Sequence, residues 1–198
     1  MASLPPDQTP HPPGRSKMFL RMAWLTNPFA YIAINTTIAL VPSVAARFGL
    51  STTLAGIYCS LWCFARVGAF YGLWHWAGWH YKFRWLLTAY LSLIASFILM
   101  VGARQLPVLL ISQLFFGTAL GLIYSSSLFY SMDLGDTKGE HGGLHEAAIG
   151  LGNFAGPAVG AASLHFLPQY TNSGIVAVGI LLLVGLGGLV VIRTTSRR

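Results

Sequence analysis

Residues 108–131 read VLLISQLFFGTALGLIYSSSLFYS, 24 consecutive positions without a charged side chain. A helix needs ~20 apolar residues to cross a bilayer, so this stretch has the length of one crossing. Working outward, five more stretches are built alike: Pro28–Ala46, Leu54–Trp76, Phe83–Ala103, Leu144–Leu167 and Gly174–Ile192. Between them lie RFGLSTT, AGWHYK, RQLP, DLGDTKGEHGG and PQYTNS, which carry the charges and turn residues of a water interface. These breaks are too short for structure of their own, which makes neighbouring helices antiparallel. The composition agrees. Of 198 residues 55% are hydrophobic and 9% charged, and mean hydropathy is +0.63, whereas a soluble domain carries about 25% charged residues. That count speaks against a soluble globular enzyme, and six crossings leave no room for a second soluble domain. The expected fold is an all-α bundle of six transmembrane helices over residues 18–198.

The net charge of +7 punctuates the apolar runs instead of clustering on a polar face, so it points to membrane orientation and not to nucleic acid. With the amino end cytoplasmic, that side holds Arg15, Lys17, Arg21, Lys82, Arg84, Lys138, Arg193, Arg197 and Arg198, against Arg47 and Arg104 on the other. The excess of Lys and Arg inside places both termini in the cytoplasm of a plasma (inner) membrane protein. Trp24, Trp74, Trp76, Trp79 and Trp85 gather where an interfacial aromatic belt belongs. Residues 1–17 hold Pro5, Pro6, Pro10, Pro12 and Pro13 and almost nothing apolar, which reads as a disordered cytoplasmic tail or linker with no cleavable signal. Cys59 and Cys63 lie inside an apolar run and offer neither a disulfide framework nor a zinc site.

The fifth span sets small residues four apart at Gly152, Gly156 and Gly160, with Pro157 among them. Lipid supplies little hydrophobic drive between helices, so close backbone approach through small residues supplies the packing. Pro157 leaves a carbonyl of the preceding turn unbonded and favours a kink. Gly117 and Gly121 repeat the device on the fourth span, and Gly185, Gly187 and Gly188 on the sixth.

The run GNFAGPAVGA, Gly152 to Ala161, is similar to the G-x-x-x-G-P-x-x-G-G motif on the fifth helix of a half in the major facilitator superfamily of transporters, with Ala161 at the last glycine. Six spans with both ends inside also resemble one half of that family's twelve-helix body. Two further signatures are worn. The loop after the second helix, Leu73 to His80, lacks the acid and arginines of G-x-L-x-D-R-x-G-R-R, and Gln113 with Gly117 stands where R-x-x-x-G is usual. Such decay resembles the carboxyl half, helices seven to twelve. The resemblance implies a substrate site shared with a second six-helix half, a separate chain or a second copy, unless the chain is a fragment. It also implies that the first and fourth helices line the path while the third and sixth face lipid.

Candidate site residues follow from polar groups inside the spans. Arg66 lies away from the ends of the second span, where a charge costs at least ~2.5 kcal/mol. It either meets an anionic group or snorkels to the interface. Glu146 is a proton-coupling candidate, or simply an acid favoured at a helix amino end. Asn35, Gln113, Tyr124, Asn153 and Ser125–Ser127 are either cavity lining or interhelical glue, with Asn35 and Gln113 the leading cavity candidates. His141 and His145 have the spacing of two ligands on one helix face, but Gly142–Gly143 between them weakens the helix, and no metal is expected. GLGNFAG lacks the preceding strand of a dinucleotide site, so no cofactor is expected either.

The leading reading is a membrane transporter, half-size or a fragment, that moves a small polar or anionic solute by alternating access, with proton coupling an open feature. The alternatives are a non-transporting membrane scaffold and a six-helix intramembrane hydrolase, with a serine from Ser125–Ser127 and His165 as base.

Overall fold

The computed structural model describes residues 13–134, 138–170 and 172–196, and among them there is no strand. The chain folds into α1 (Pro13–Ala39), α2 (Val41–Phe48), α3 (Thr52–Cys59), α4 (Leu61–His75), α5 (Phe83–Gly102), α6 (Leu106–Asp133), α7 (Lys138–Phe166) and α8 (Ser173–Thr195). Five helical stretches are long and apolar enough to cross a membrane, with α3 and α4 together forming one of them, and there are six if the bent pair α1–α2 is one span. Outer faces carry exposed large apolar side chains such as Ile98, Phe115, Phe154 and Val184, as a multi-pass membrane protein requires.

Four details depart from the expected boundaries. The expected tail is helical from Pro13 onward, and residues 1–12 lie outside the described residues. Pro13 is tolerated there because the first helical position needs no N–H partner. Ser16, Met18 and Phe19 are buried, and Phe19 packs edge-on against Tyr81. The first span is also not straight: the chain bends by 45° between α1 and α2. Pro42 lacks the N–H that would bond the carbonyl of Ile38, and its ring crowds that carbonyl. The second span is interrupted at Ser60, whose hydroxyl bonds back to the Ile57 carbonyl at 3.1 Å. Finally, α7 begins at Lys138, ahead of the expected Leu144, and is continuous through Gly142, Gly143 and Pro157. Asp136 and the side chain of Glu140 lie outside the described residues.

The helix ends are set locally. Gly49 stops α2 in the left-handed conformation at φ 60°, its N–H bonded to the carbonyls of Ala45 and Ala46. The Ser51 hydroxyl accepts from the Leu54 amide to start α3. Arg47 Nη1 donates to the carbonyls of Val101 (2.7 Å) and Ala103 (2.9 Å), satisfying the end of α5.

Helix α6 is well enclosed, packing against α4, α5, α1 and α7; α7 in turn packs chiefly on α1 and α8. The α4–α6 seam closes through Gly117 and Gly121. A Cβ at Gly117 would stand 2.1 Å from the Trp62 carbonyl oxygen, and one at Gly121 would stand 2.6 Å from the Ala69 methyl. Gly185 and Gly188 of α8 lie against Phe29, Tyr90 and Leu25, while Gly187 meets nothing. The third span is well enclosed in the chain, with 44% of its apolar window buried, against 11% for the fifth.

At one end of the bundle the 77–82 loop is locked into the helices. Tyr81 has φ 51°, a left-handed conformation costly for a side chain of its size. Its N–H donates to Tyr130 Oη (3.0 Å), its carbonyl accepts from Arg15 Nη2 (2.9 Å), and its hydroxyl donates to Asp133 Oδ2. Burial, reinforced by that hydrogen bond to Asp133, pushes the phenol up to about 12.

Candidate functional site

Polar side chains from α1, α4, α6 and α7 converge at one half-buried place where these helices meet. Its centre is Arg66, half-buried on α4. Arg66 Nη2 donates to Tyr31 Oη of α1 at 3.1 Å. Its guanidinium carbon lies 4.9 Å from the ring centroid of Tyr124, 5.4 Å from Phe70 and 5.7 Å from Tyr31. Rings at these distances attract a cation by ~0.5–2 kcal/mol each, more where water is excluded. Among the described residues no carboxylate approaches Arg66 within ion-pair distance, and its Nε is enclosed without a hydrogen-bond partner. The guanidinium is held by aromatic faces and one hydroxyl, not by a counter-ion.

From Tyr31 the network continues along α1. Asn35 Nδ2 donates to the Tyr31 carbonyl (2.9 Å) and to Asn153 Oδ1 on α7 (2.8 Å). This crossing is possible because α7 presents glycine to α1. A Cβ at Gly152 would stand 2.4 Å from the Pro28 carbonyl oxygen and 2.6 Å from Tyr31 Cβ, and one at Gly156 would stand 3.1 Å from the Ile32 carbonyl oxygen. A Cβ at Gly160 would meet neither α1 nor any other neighbour; its backbone borders α8, where a Cβ at Gly174 would lie 3.4 Å from the Gly160 Cα. Pro157 points outward and is exposed.

On the other side of Tyr124 sits His145, 1% exposed, its ring 5.0 Å from that of Tyr124 and edge-on to it. Its Nδ1 is 2.8 Å from Ser127 Oγ, while Nε2 is buried without a partner. Glu146 follows on the exposed side of α7, in electrostatic range of both Tyr124 and His145. His141 instead packs edge-on against Trp24, and no three metal-ligating side chains cluster among the described residues.

Thus Asn35, Arg66, Tyr124 and Asn153 belong to one connected group, with Glu146 at its edge. Gln113 does not join it. Gln113 is buried on α6 and its Nε2 donates at 2.7 Å to the Tyr58 carbonyl, beside the Ser60 interruption. There it serves the α3–α4 break, next to a separate small hollow lined also by Thr37, Arg47 and Cys59. His165 is exposed near the far end of α7 and pairs with none of Ser125–Ser127. Reading the sequence missed Tyr31, Phe70 and the Ser127–His145 pair. The one available signal was spacing: Tyr31 is four residues before Asn35, and Phe70 four after Arg66, so each shares a helix face with a candidate.

No family model, no curated protein and no solved structure matches the chain.

Proposed function

We propose that this chain is one six-helix half of a secondary-active transporter, similar to the carboxyl half of a major facilitator, and moves a small polar or anionic solute by alternating access. The observation that carries this reading is Arg66: a cation without an acid partner, amid polar groups from the first, second, fourth and fifth spans. In a bilayer a charge at that depth is costly, and an apolar residue packed there is more stable. A solute that supplies the missing charge accounts for keeping it.

The packing pattern lends support. Exchanging the first three spans with the last three maps the α4–α6 seam onto α7–α1 and the α5–α6 seam onto α8–α1; the α1–α6 and α5–α8 contacts map onto themselves. The α7–α8, α6–α7 and α1–α5 contacts have no counterparts of similar extent under this exchange. Nested three-plus-three repeats of inverted topology characterise transporter halves whose substrate site lies between repeats. Asn153 and Glu146, exposed on the thinly covered α7, give a second half a polar wall to close against. Arg15, Lys82, Arg84 and Arg193 share the bundle end that faces the cytoplasm in this reading.

The test is uptake in proteoliposomes by the purified chain, alone and with a complementary six-helix half, over a panel of labelled solutes. Saturable uptake that depends on Arg66 is expected; none from either preparation favours the scaffold reading. The Ser127–His145 contact keeps a hydrolase as second reading. Yet Ser127 is fully buried, the bond goes to Nδ1, and no acid among the described residues orients the ring through Nε2. A fluorophosphonate label lost in Ser127→Ala would favour the hydrolase.

A further inference from the structure

We infer that the group completing the Arg66 site is a small monocarboxylate, an inference resting on the reading of this cluster as the solute site. The reasoning is charge balance at a half-buried cation. Within contact distance there is one fixed cation and no acid among the described residues. A ligand with one negative charge neutralises it; a dianion such as phosphate or sulfate brings in a second charge with nothing to meet it. Glu146, within electrostatic range of Tyr124 on the far side, weighs further against a second negative charge.

The shape of the cation points the same way. The rings of Tyr124, Phe70 and Tyr31 stand around the guanidinium, and its Nε edge is enclosed, so ligands do not approach there. Nη2 spends one N–H on Tyr31, and Nη1 has no hydrogen-bond partner among the described residues and is not enclosed. The edge between Nη1 and Nη2 carries two parallel N–H groups of the kind that match the two oxygens of a carboxylate. Tyr31, which positions Nη2, is tied through its carbonyl to Asn35 and so to Asn153, which couples occupancy of the site to the α1–α7 crossing.

The experiment uses the full chain in phosphatidylcholine nanodiscs and follows modification of Arg66 by phenylglyoxal, read by mass spectrometry, with Arg47 and Arg84 as internal references. Acetate or benzoate is expected to slow modification of Arg66 at least fivefold while leaving the references unchanged, and phosphate and sulfate at equal concentration are expected not to. Binding of labelled benzoate is expected to vanish in Arg66→Gln and to weaken tenfold or more in Arg66→Lys, which keeps the charge but loses the fork. Equal or better protection by phosphate, or none by either monocarboxylate, overturns the assignment. So does full protection by phosphatidylglycerol nanodiscs alone, which would make Arg66 a lipid-headgroup anchor. Protection without uptake in proteoliposomes keeps the carboxylate site and ends the transport reading. Uptake indifferent to Arg66 does the reverse.

Discussion

Replacing Gly152 by alanine tests how the polar crossing is built. The new Cβ would stand 2.4 Å from the Pro28 carbonyl oxygen and 2.6 Å from Tyr31 Cβ, and neither is the free end of a flexible side chain. To reach ordinary contact the α1–α7 seam must open by roughly 1 Å, enough to forfeit a quarter to a half of the dispersion well along it. Overpacking of this kind costs ~1–3 kcal/mol. Loosening the adjacent Asn35–Asn153 bond adds about 0.6 kcal/mol, the average for a polar contact in a membrane bundle. Against this, alanine is the better helix former by about 1 kcal/mol. The net expectation is a loss of about 1–2 kcal/mol. Gly150 on the same helix supplies the control, because a Cβ there meets nothing within 4 Å. Gly150→Ala is therefore expected to leave stability unchanged or raise it by up to ~1 kcal/mol. Unfolding in one detergent, by denaturant titration or thermal melt, compares the three chains. A Gly152→Ala chain as stable as Gly150→Ala would refute the claim that α1 and α7 meet through bare backbone.

Arg66→Ala is expected to abolish uptake while the chain still inserts in the membrane, and undiminished uptake at normal protein levels would remove Arg66 from the site. Glu146→Gln is expected to remove the pH dependence of uptake; a retained dependence moves the proton elsewhere. Gln113→Leu leaves the Tyr58 carbonyl at the helix break unpaired and is expected to cost about 1 kcal/mol, a cost that a denaturant midpoint equal to that of the native chain would disprove. Tyr81 is held up at about 12, so the folded chain keeps its proton at pH values where the unfolded phenol has lost it. Its contribution is complete below pH 10 and is lost as pH rises from 10 to 12. Tyr81→Phe is expected to lose less stability over that interval than the native chain, and parallel curves would show that the buried phenol contributes nothing.

Hydropathy and charge were enough to locate the helical segments, since runs of some twenty apolar residues and their polar breaks are local properties of the chain. Glycine spacing likewise marked α7 and α6 as helices that approach their neighbours closely, and Arg66 stood out as a charge inside an apolar run. What a run of uniformly apolar residues does not encode is the rotation of its helix, because lipid and protein interior are equally apolar and the period that reveals a buried face in water is absent. The bundle alone therefore decided that Tyr31 and Phe70 join Tyr124 around Arg66, and that Asn35 finds Asn153. It also decided that Gln113 turns to the Ser60 break and that a Cβ at Gly160, unlike one at Gly152 or Gly156, would not meet α1. The helical start at Pro13 has the same origin: five residues with little of their own to bury are ordered by the loop and helices they pack against.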